Sequence, residues 1–142
     1  MKAITQFLLM ATMVWASATM AQGQTLRNAN NSSIGSIESN GIIRNAYNSQ
    51  IGKIESDGTV RNSNNSQVGK IDSDGTIRNR SNSSIGRVAS DGTVRDGMGR
   101  QIGRIESNGT VRDGSNRQIG SASGVRKEWA AAYFFFYEQL FK

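Results

Sequence analysis

The sequence predicts an all-β repeat protein, a series of short antiparallel hairpins followed by one aromatic C-terminal helix. Three observations predict it. Glycines recur every 17 residues, at Gly41, Gly58, Gly75, Gly92 and Gly109 and again at Gly35, Gly52, Gly69, Gly86, Gly103 and Gly120. The apolar positions between them are almost all Ile or Val, the residues that suit a pleated, half-buried surface. Seven of the chain's ten aromatic residues lie beyond Lys127, so the tail is chemically unlike the repeats.

One unit, Thr59 to Gly75, shows the logic. Its reliably apolar positions are Val60, Val68 and Ile71. Two turn signals separate the strands, Asp57-Gly58 or Asp74-Gly75 at one end and Asn62-Ser63-Asn64-Asn65-Ser66 at the other. Asp-Gly and Asn-Gly pairs are the dipeptides of tight hairpins. Each unit is therefore two strands and two turns. Val68 and Ile71 are three apart, so strict alternation would send them to opposite faces. A bulge at Gly69 would turn both inward, and a glycine within a strand marks such a bulge or a close backbone approach.

The tail reads as a helix. Trp129, Tyr133, Phe136 and Leu140 fall on helical spacing, and Ala130, Ala131 and Ala132 favour helix. With only three apolar positions per unit the repeats have a thin core. The expected role of these four residues is to dock the tail on or in the repeat domain. The rival reading is peripheral contact with a membrane or a partner. The apolar run from Trp129 to Tyr137 is far too short to span a bilayer as a helix.

Residues 1–21 read as a secretory signal peptide. Lys2 precedes an apolar stretch through Phe7, Leu8, Leu9, Met10 and Val14, and cleavage is expected after Ala21, with Ala18 the alternative. The expected organisation is a leader at 1–21, the repeat domain at 25–124 and the helix at 125–142. Export places the chain in the periplasm, at the outer envelope or outside the cell. Without cysteine it is no lipoprotein and forms no disulfide. From Gln22 onward 16 Lys and Arg face 11 Asp and Glu, a net charge of about +5, mixed in sign along the repeat, so nucleic acid is not an expected partner.

The chemistry-bearing candidates are few. Histidine and cysteine are absent, which excludes a histidine-based triad and a zinc site of the usual ligands, and no cofactor is expected. The paired acids of Glu55-Ser56-Asp57-Gly58 and Asp72-Ser73-Asp74-Gly75 echo a calcium loop but lack its distal acid. Six equivalent arginines, Arg27, Arg44, Arg61, Arg78, Arg95 and Arg112, could form a ring that grips an anion. The plainer account pairs them across strands with Glu38, Glu55, Asp72 or Glu106. The Asn/Ser-rich linkers could meet a glycan, although Tyr47 is the one aromatic in the repeats.

The repeated Gly-Thr-Val-Arg and Ile-Gly-Lys-Ile-Glu-Ser-Asp-Gly pattern, followed by Gly-Val-Arg-Lys-Glu-Trp-Ala-Ala-Ala-Tyr-Phe-Phe-Phe, resembles the five-fold beta-flower proteins, small exported bacterial repeat proteins. The resemblance covers Thr25 to about Phe136. It implies five hairpin units arranged like petals about an axis, and it brings no activity, ligand or catalytic residue. Closure also has a physical motive, because an open meander leaves edge strands free to pair with other chains. The rival architectures are a flat open sheet and a parallel solenoid of 17 residues per coil, against which the Asp-Gly turns argue. The expected function is a non-enzymatic structural or interaction module of the cell envelope. The alternative is a binder of small ligands, anions or glycans through the repeated turn face, with a protein or glycan as partner.

Overall fold

The structure is a computed structural model and describes residues 24–137. The expected leader and Leu140 lie outside the described residues. Twelve strands follow one another: β1 (Gln24–Asn28), β2 (Ser33–Ile37), β3 (Ile42–Asn45), β4 (Gln50–Ile54), β5 (Thr59–Asn62), β6 (Gln67–Ile71), β7 (Thr76–Asn79), β8 (Ser84–Val88), β9 (Thr93–Asp96), β10 (Gln101–Ile105), β11 (Thr110–Asp113) and β12 (Gln118–Ser121). Every neighbour in sequence is a neighbour in the sheet, all pairs are antiparallel, and β12 returns to pair with β1 through Arg27↔Ser121 and Asn28↔Gly120. The sheet is thus a closed barrel, neither an open sheet nor a solenoid. The five complete units supply β1 to β10. The shortened sixth copy supplies β11 and β12, which close the ring.

Both turn families are three-residue hairpins, a difference from the two-residue turns that Asp-Gly and Asn-Gly first bring to mind. In the acid-bearing turns Gly58 N–H donates to Glu55 O at 2.9 Å, and Glu55 N–H donates to Thr59 O at 2.8 Å. Only the glycine is left-handed, at φ +94°. Asp57 does not supply positive φ; its Oδ1 accepts from Thr59 N–H at 3.0 Å and fixes the turn. In the Asn-bearing turns the left-handed position is Asn31, Asn48, Asn65, Asn82 or Asn116, with Gly99 in the fifth unit. Asparagine tolerates that region better than other residues with a side chain. Asn62 Oδ1 accepts from both Asn64 N–H and Ser66 N–H.

The inward face carries one aliphatic pair per regular ladder: Ile37↔Ile43, Ile54↔Val60, Ile71↔Ile77, Val88↔Val94 and Ile105↔Val111. All ten are buried. The ladders across the Asn turns each carry a register shift, for example between Val60 and Arg61 opposite Gly69 and Gln67. The bulge therefore sits at Val68-Gly69 and its equivalents. Its effect is weaker than full inward rotation. Val68 is buried, but Ile34, Ile51, Ile85, Ile102 and Ile119 are half-buried, packed against the core from its rim.

After β12 the chain turns at Gly124 and enters α1 (Lys127–Ala131), which passes directly into a π-helical turn, Ala132–Phe136. Tyr137 N–H donates to Ala132 O at 2.8 Å, the i→i+5 bond of that geometry. Ala130, Ala131 and Ala132 are fully buried, because only small side chains let a helix pass inside so narrow a ring. Among the described residues no helix is long and apolar enough to cross a membrane.

Candidate functional site

The axis of the barrel is the first place to look for a site, and it is filled. Phe134 packs on Gly120, Phe135 on Gly103, Phe136 on Gly86 and Tyr137 on Gly69. Four successive aromatics thus meet four glycines that are each 17 residues apart, stepping backward through the repeats. An i→i+5 helix turns about 80° per residue against 100° for an α-helix, which lies closer to the roughly 60° between six equivalent strands of a ring. The widened turn lets consecutive side chains fan out like spokes. Tyr137 Oη donates to Arg78 O, and burial pushes its phenol up to about 12, so it remains a donor at all ordinary pH. Tyr133 stacks edge-on against Phe134, with centroids 5.3 Å apart.

Of the residues expected to dock the tail, Tyr133 is buried, and Trp129 and Phe136 are half-buried against the core. Phe134, Phe135 and Tyr137 share the task, which helical spacing alone did not mark. A run of consecutive aromatics, Tyr133 to Tyr137, in a chain with glycines at a strict 17-residue spacing was the available signal. Phe134, Phe135, Phe136 and Tyr137 pack on the barrel wall, whereas Trp129 stands at the rim.

The rim on which the tail enters is built from the acid-bearing turns. Three clefts of about 490, 220 and 140 Å³ surround the tail's first residues. Arg126 borders all three, its guanidinium 5.2 Å above the Trp129 ring. The largest cleft is lined by Asp91, Glu106 and Lys127, the smallest by Glu55, Asp57, Asp72 and Trp129. The five turns repeat, but the tail crosses them once, so the rim is polar, asymmetric and centred on a single Arg–Trp pair.

Hydrogen bonds from the backbone N–H and then the hydroxyl of Thr59, Thr76 and Thr93 hold Asp57, Asp74 and Asp91 below the usual carboxylate range. The Arg100 and Arg117 backbone N–H groups do the same for Asp96 and Asp113. Asn40 and Asn108 fill the Asp57 position in two copies and accept the equivalent bond at 3.2 and 3.0 Å. The position thus needs an oxygen acceptor, not a charge. No group of three or more His, Cys, Asp or Glu gathers as a metal centre among the described residues.

A pH dependence follows. A depressed folded-state pKa contributes stability that is present above the unfolded value and is lost as pH falls through the folded one. Urea unfolding midpoints should therefore hold steady down to about pH 4 and decline below it. A variant carrying Asp57→Asn, Asp74→Asn and Asp91→Asn should show a shallower decline, and an unchanged acid slope would refute this assignment.

The six arginines stand on the outer face. Arg44, Arg61, Arg78 and Arg112 each place Nε on a carboxylate, Glu38, Glu55, Asp72 and Glu106 respectively, at 2.8–3.0 Å. All six donate from Nη1 to a turn carbonyl, Arg27 to Asn31 O and Arg95 to Gly99 O among them. Among the described residues the ring is therefore broken into four positions with a carboxylate, at Arg44, Arg61, Arg78 and Arg112, and two without, at Arg27 and Arg95. Tyr47 and Met98 stand 90% and 83% exposed at the tips of Asn-bearing turns, the two large apolar side chains displayed there.

Comparison with known proteins adds one finding. A family model described as 5-fold beta-flower protein matches residues 23–138. No curated protein and no solved structure matches the chain.

Proposed function

The chain belongs to the 5-fold beta-flower protein family, and from that premise we propose that it works as a non-enzymatic structural or interaction module, exported to the cell envelope, which meets its partners through its rims. The observation that carries this reading is the plugged axis. A closed barrel offers its interior to a ligand only when side chains do not fill it. Here Phe134, Phe135, Phe136 and Tyr137 fill it. What remains for recognition is the outer face and the two rings of turns. The absence of histidine and cysteine supports a non-catalytic role, since no imidazole or thiol is present to act as base or nucleophile. The leader-like residues 1–21 support export.

Two measurements test this reading. A chain produced with its leader should leave the cytoplasm with the intact mass of residues 22–142, or of 19–142 if cleavage follows Ala18. An unprocessed cytoplasmic chain would overturn export. Photo-crosslinking side chains at Tyr47 and Met98 should give discrete adducts in the envelope fraction, and none at either position would remove the interaction role of that rim.

The second reading, a ligand or glycan binder, is favoured by the Arg126–Trp129 clefts, where an aromatic face borders carboxylates. Since the tail breaks the symmetry of this rim, such a ligand would bind with one-to-one stoichiometry. Equivalent sites repeated around the barrel would instead implicate the turns.

A further inference from the structure

The repeats serve as internal controls for one another, and the fifth fails in one place. On the outer face cations stand directly opposite cations: Lys53↔Arg61, Lys70↔Arg78, Arg87↔Arg95 and Arg104↔Arg112. Like charges so placed across a ladder repel. In three of these pairs the repeat supplies its own remedy, a carboxylate on the arginine Nε. Glu55 meets Arg61 at 2.9 Å, Asp72 meets Arg78 at 2.8 Å and Glu106 meets Arg112 at 3.0 Å. Opposite Arg95 the equivalent residue is Ala89.

The arginine itself keeps its place. Arg95 Nη1 donates to Gly99 O at 3.0 Å, as Arg61, Arg78 and Arg112 donate to Asn65, Asn82 and Asn116 at 3.1–3.2 Å. One edge of the guanidinium is anchored, and its Nε edge meets no carboxylate among the described residues. Arg95 is accordingly exposed where its carboxylate-bound equivalents are half-buried. Asp74 lies within electrostatic reach of Arg87, but its Oδ1 is committed to Thr76 N–H and it does not bridge to Arg95. Among the described residues Arg27 also has no carboxylate, yet its ladder partners are Ser33 and Ser121, not a second cation.

We infer that the outer face of β8–β9 is a binding site for a carboxylate from outside the chain, which takes on Arg95 the position that Glu55, Asp72 and Glu106 hold on their own arginines, with Arg87 as the second cation. The ligand class follows from the internal ligands, a carboxylate on a short flexible stem, and the acidic side chain of a partner polypeptide is the source that matches them. This deepens the interaction-module reading and rests on it for the identity of the partner.

The test is nitrogen-15 NMR of the arginine Nε–Hε groups in the full chain, titrated with acetate and with N-acetylglutamate amide at constant ionic strength against chloride. Arg95 should shift saturably toward the resonances of Arg61, Arg78 and Arg112, while Arg27 shifts less. In Ala89→Glu the Arg95 signal should join that group and stop responding, and in Ala89→Gln, of similar size and no charge, the response should persist. A response equal for all arginines, a response to chloride alone, or one that survives Ala89→Glu would overturn the site. Saturation by inorganic phosphate or galacturonate with none by either of the two titrants would overturn the assignment to an acidic side chain. The rim crosslinks that test the module reading are independent of these outcomes, so either can fail alone.

Discussion

A chain that stops at Gly124 is expected to lose its cooperative fold. The residues removed include Ala130, Ala131, Ala132, Tyr133 and Tyr137, all buried, and Phe134, Phe135 and Phe136, all packed on the core. A large apolar side chain contributes about 1.5–3 kcal/mol on full burial. Five aromatics at the lower figure already approach the roughly 5–15 kcal/mol that holds a typical domain together. The barrel wall has no substitute, because Gly69, Gly86, Gly103 and Gly120 leave beside the axis the space that the tail's aromatics fill. Thermal melting and light-scattering chromatography should show a broad or absent transition and self-association. A sharp melt and a monomeric truncated chain would show that the repeats stand alone. Single truncations grade the effect: Phe135→Ala should cost about 3 kcal/mol, the low end for an aromatic because Phe135 is half-buried.

The second large effect is expected from the glycines themselves. In Gly103→Val the new Cβ would overlap Phe135 and lie 2.6 Å from Arg112 O. The phenyl ring can shift, but the carbonyl belongs to a ladder and is held by its hydrogen bond. Overpacking usually costs about 1–3 kcal/mol, and with a backbone atom as the obstacle the upper end or beyond is expected. Denaturant midpoints should fall accordingly, and adding Phe135→Leu to Gly103→Val should cost less than the two single losses summed, since residues in contact are coupled. Gly99→Asn is the matched control. Gly99 is left-handed with open space around it, and the other units hold asparagine at that position. If Gly103→Val were as harmless as this control, the spoke arrangement would be wrong.

How much of this was legible depends on the range of the interaction. The turns were legible because their chemistry is local. Asn62 bonds its own Asn64 and Ser66, and Asp57 bonds Thr59, all within four residues. The exact loop length was less so, because Asp-Gly serves a two-residue turn by its positive φ and a three-residue turn by its side-chain acceptor, and the letters are the same. The arginine–carboxylate pairs were legible for a similar reason, six residues apart across one hairpin. Ala89 was visible as a break in the acid series, but its consequence depends on Arg87 standing opposite Arg95, which is a matter of register.

The tail shows the other side. Four residues at helical spacing were marked, whereas the structure also uses Phe134, Phe135 and Tyr137. An α-helical stripe assumes that one face meets a flat partner. Inside a ring every direction meets the wall, so consecutive residues pack on it and the helix widens to reach it. No local propensity reports this, since the contacts join residues as far apart as Tyr137 and Lys70.

By itself the sequence determined the hairpin unit, its period, its turns and the meander order, because each rests on interactions within one or two repeats. The tertiary structure alone decided that the truncated sixth copy closes on β1, that the tail's helix widens into a π-helical turn on the axis, and that each spoke finds its glycine. Those outcomes depend on how the twist and bulges of twelve strands add up around a ring, a sum over the whole barrel that no single repeat contains.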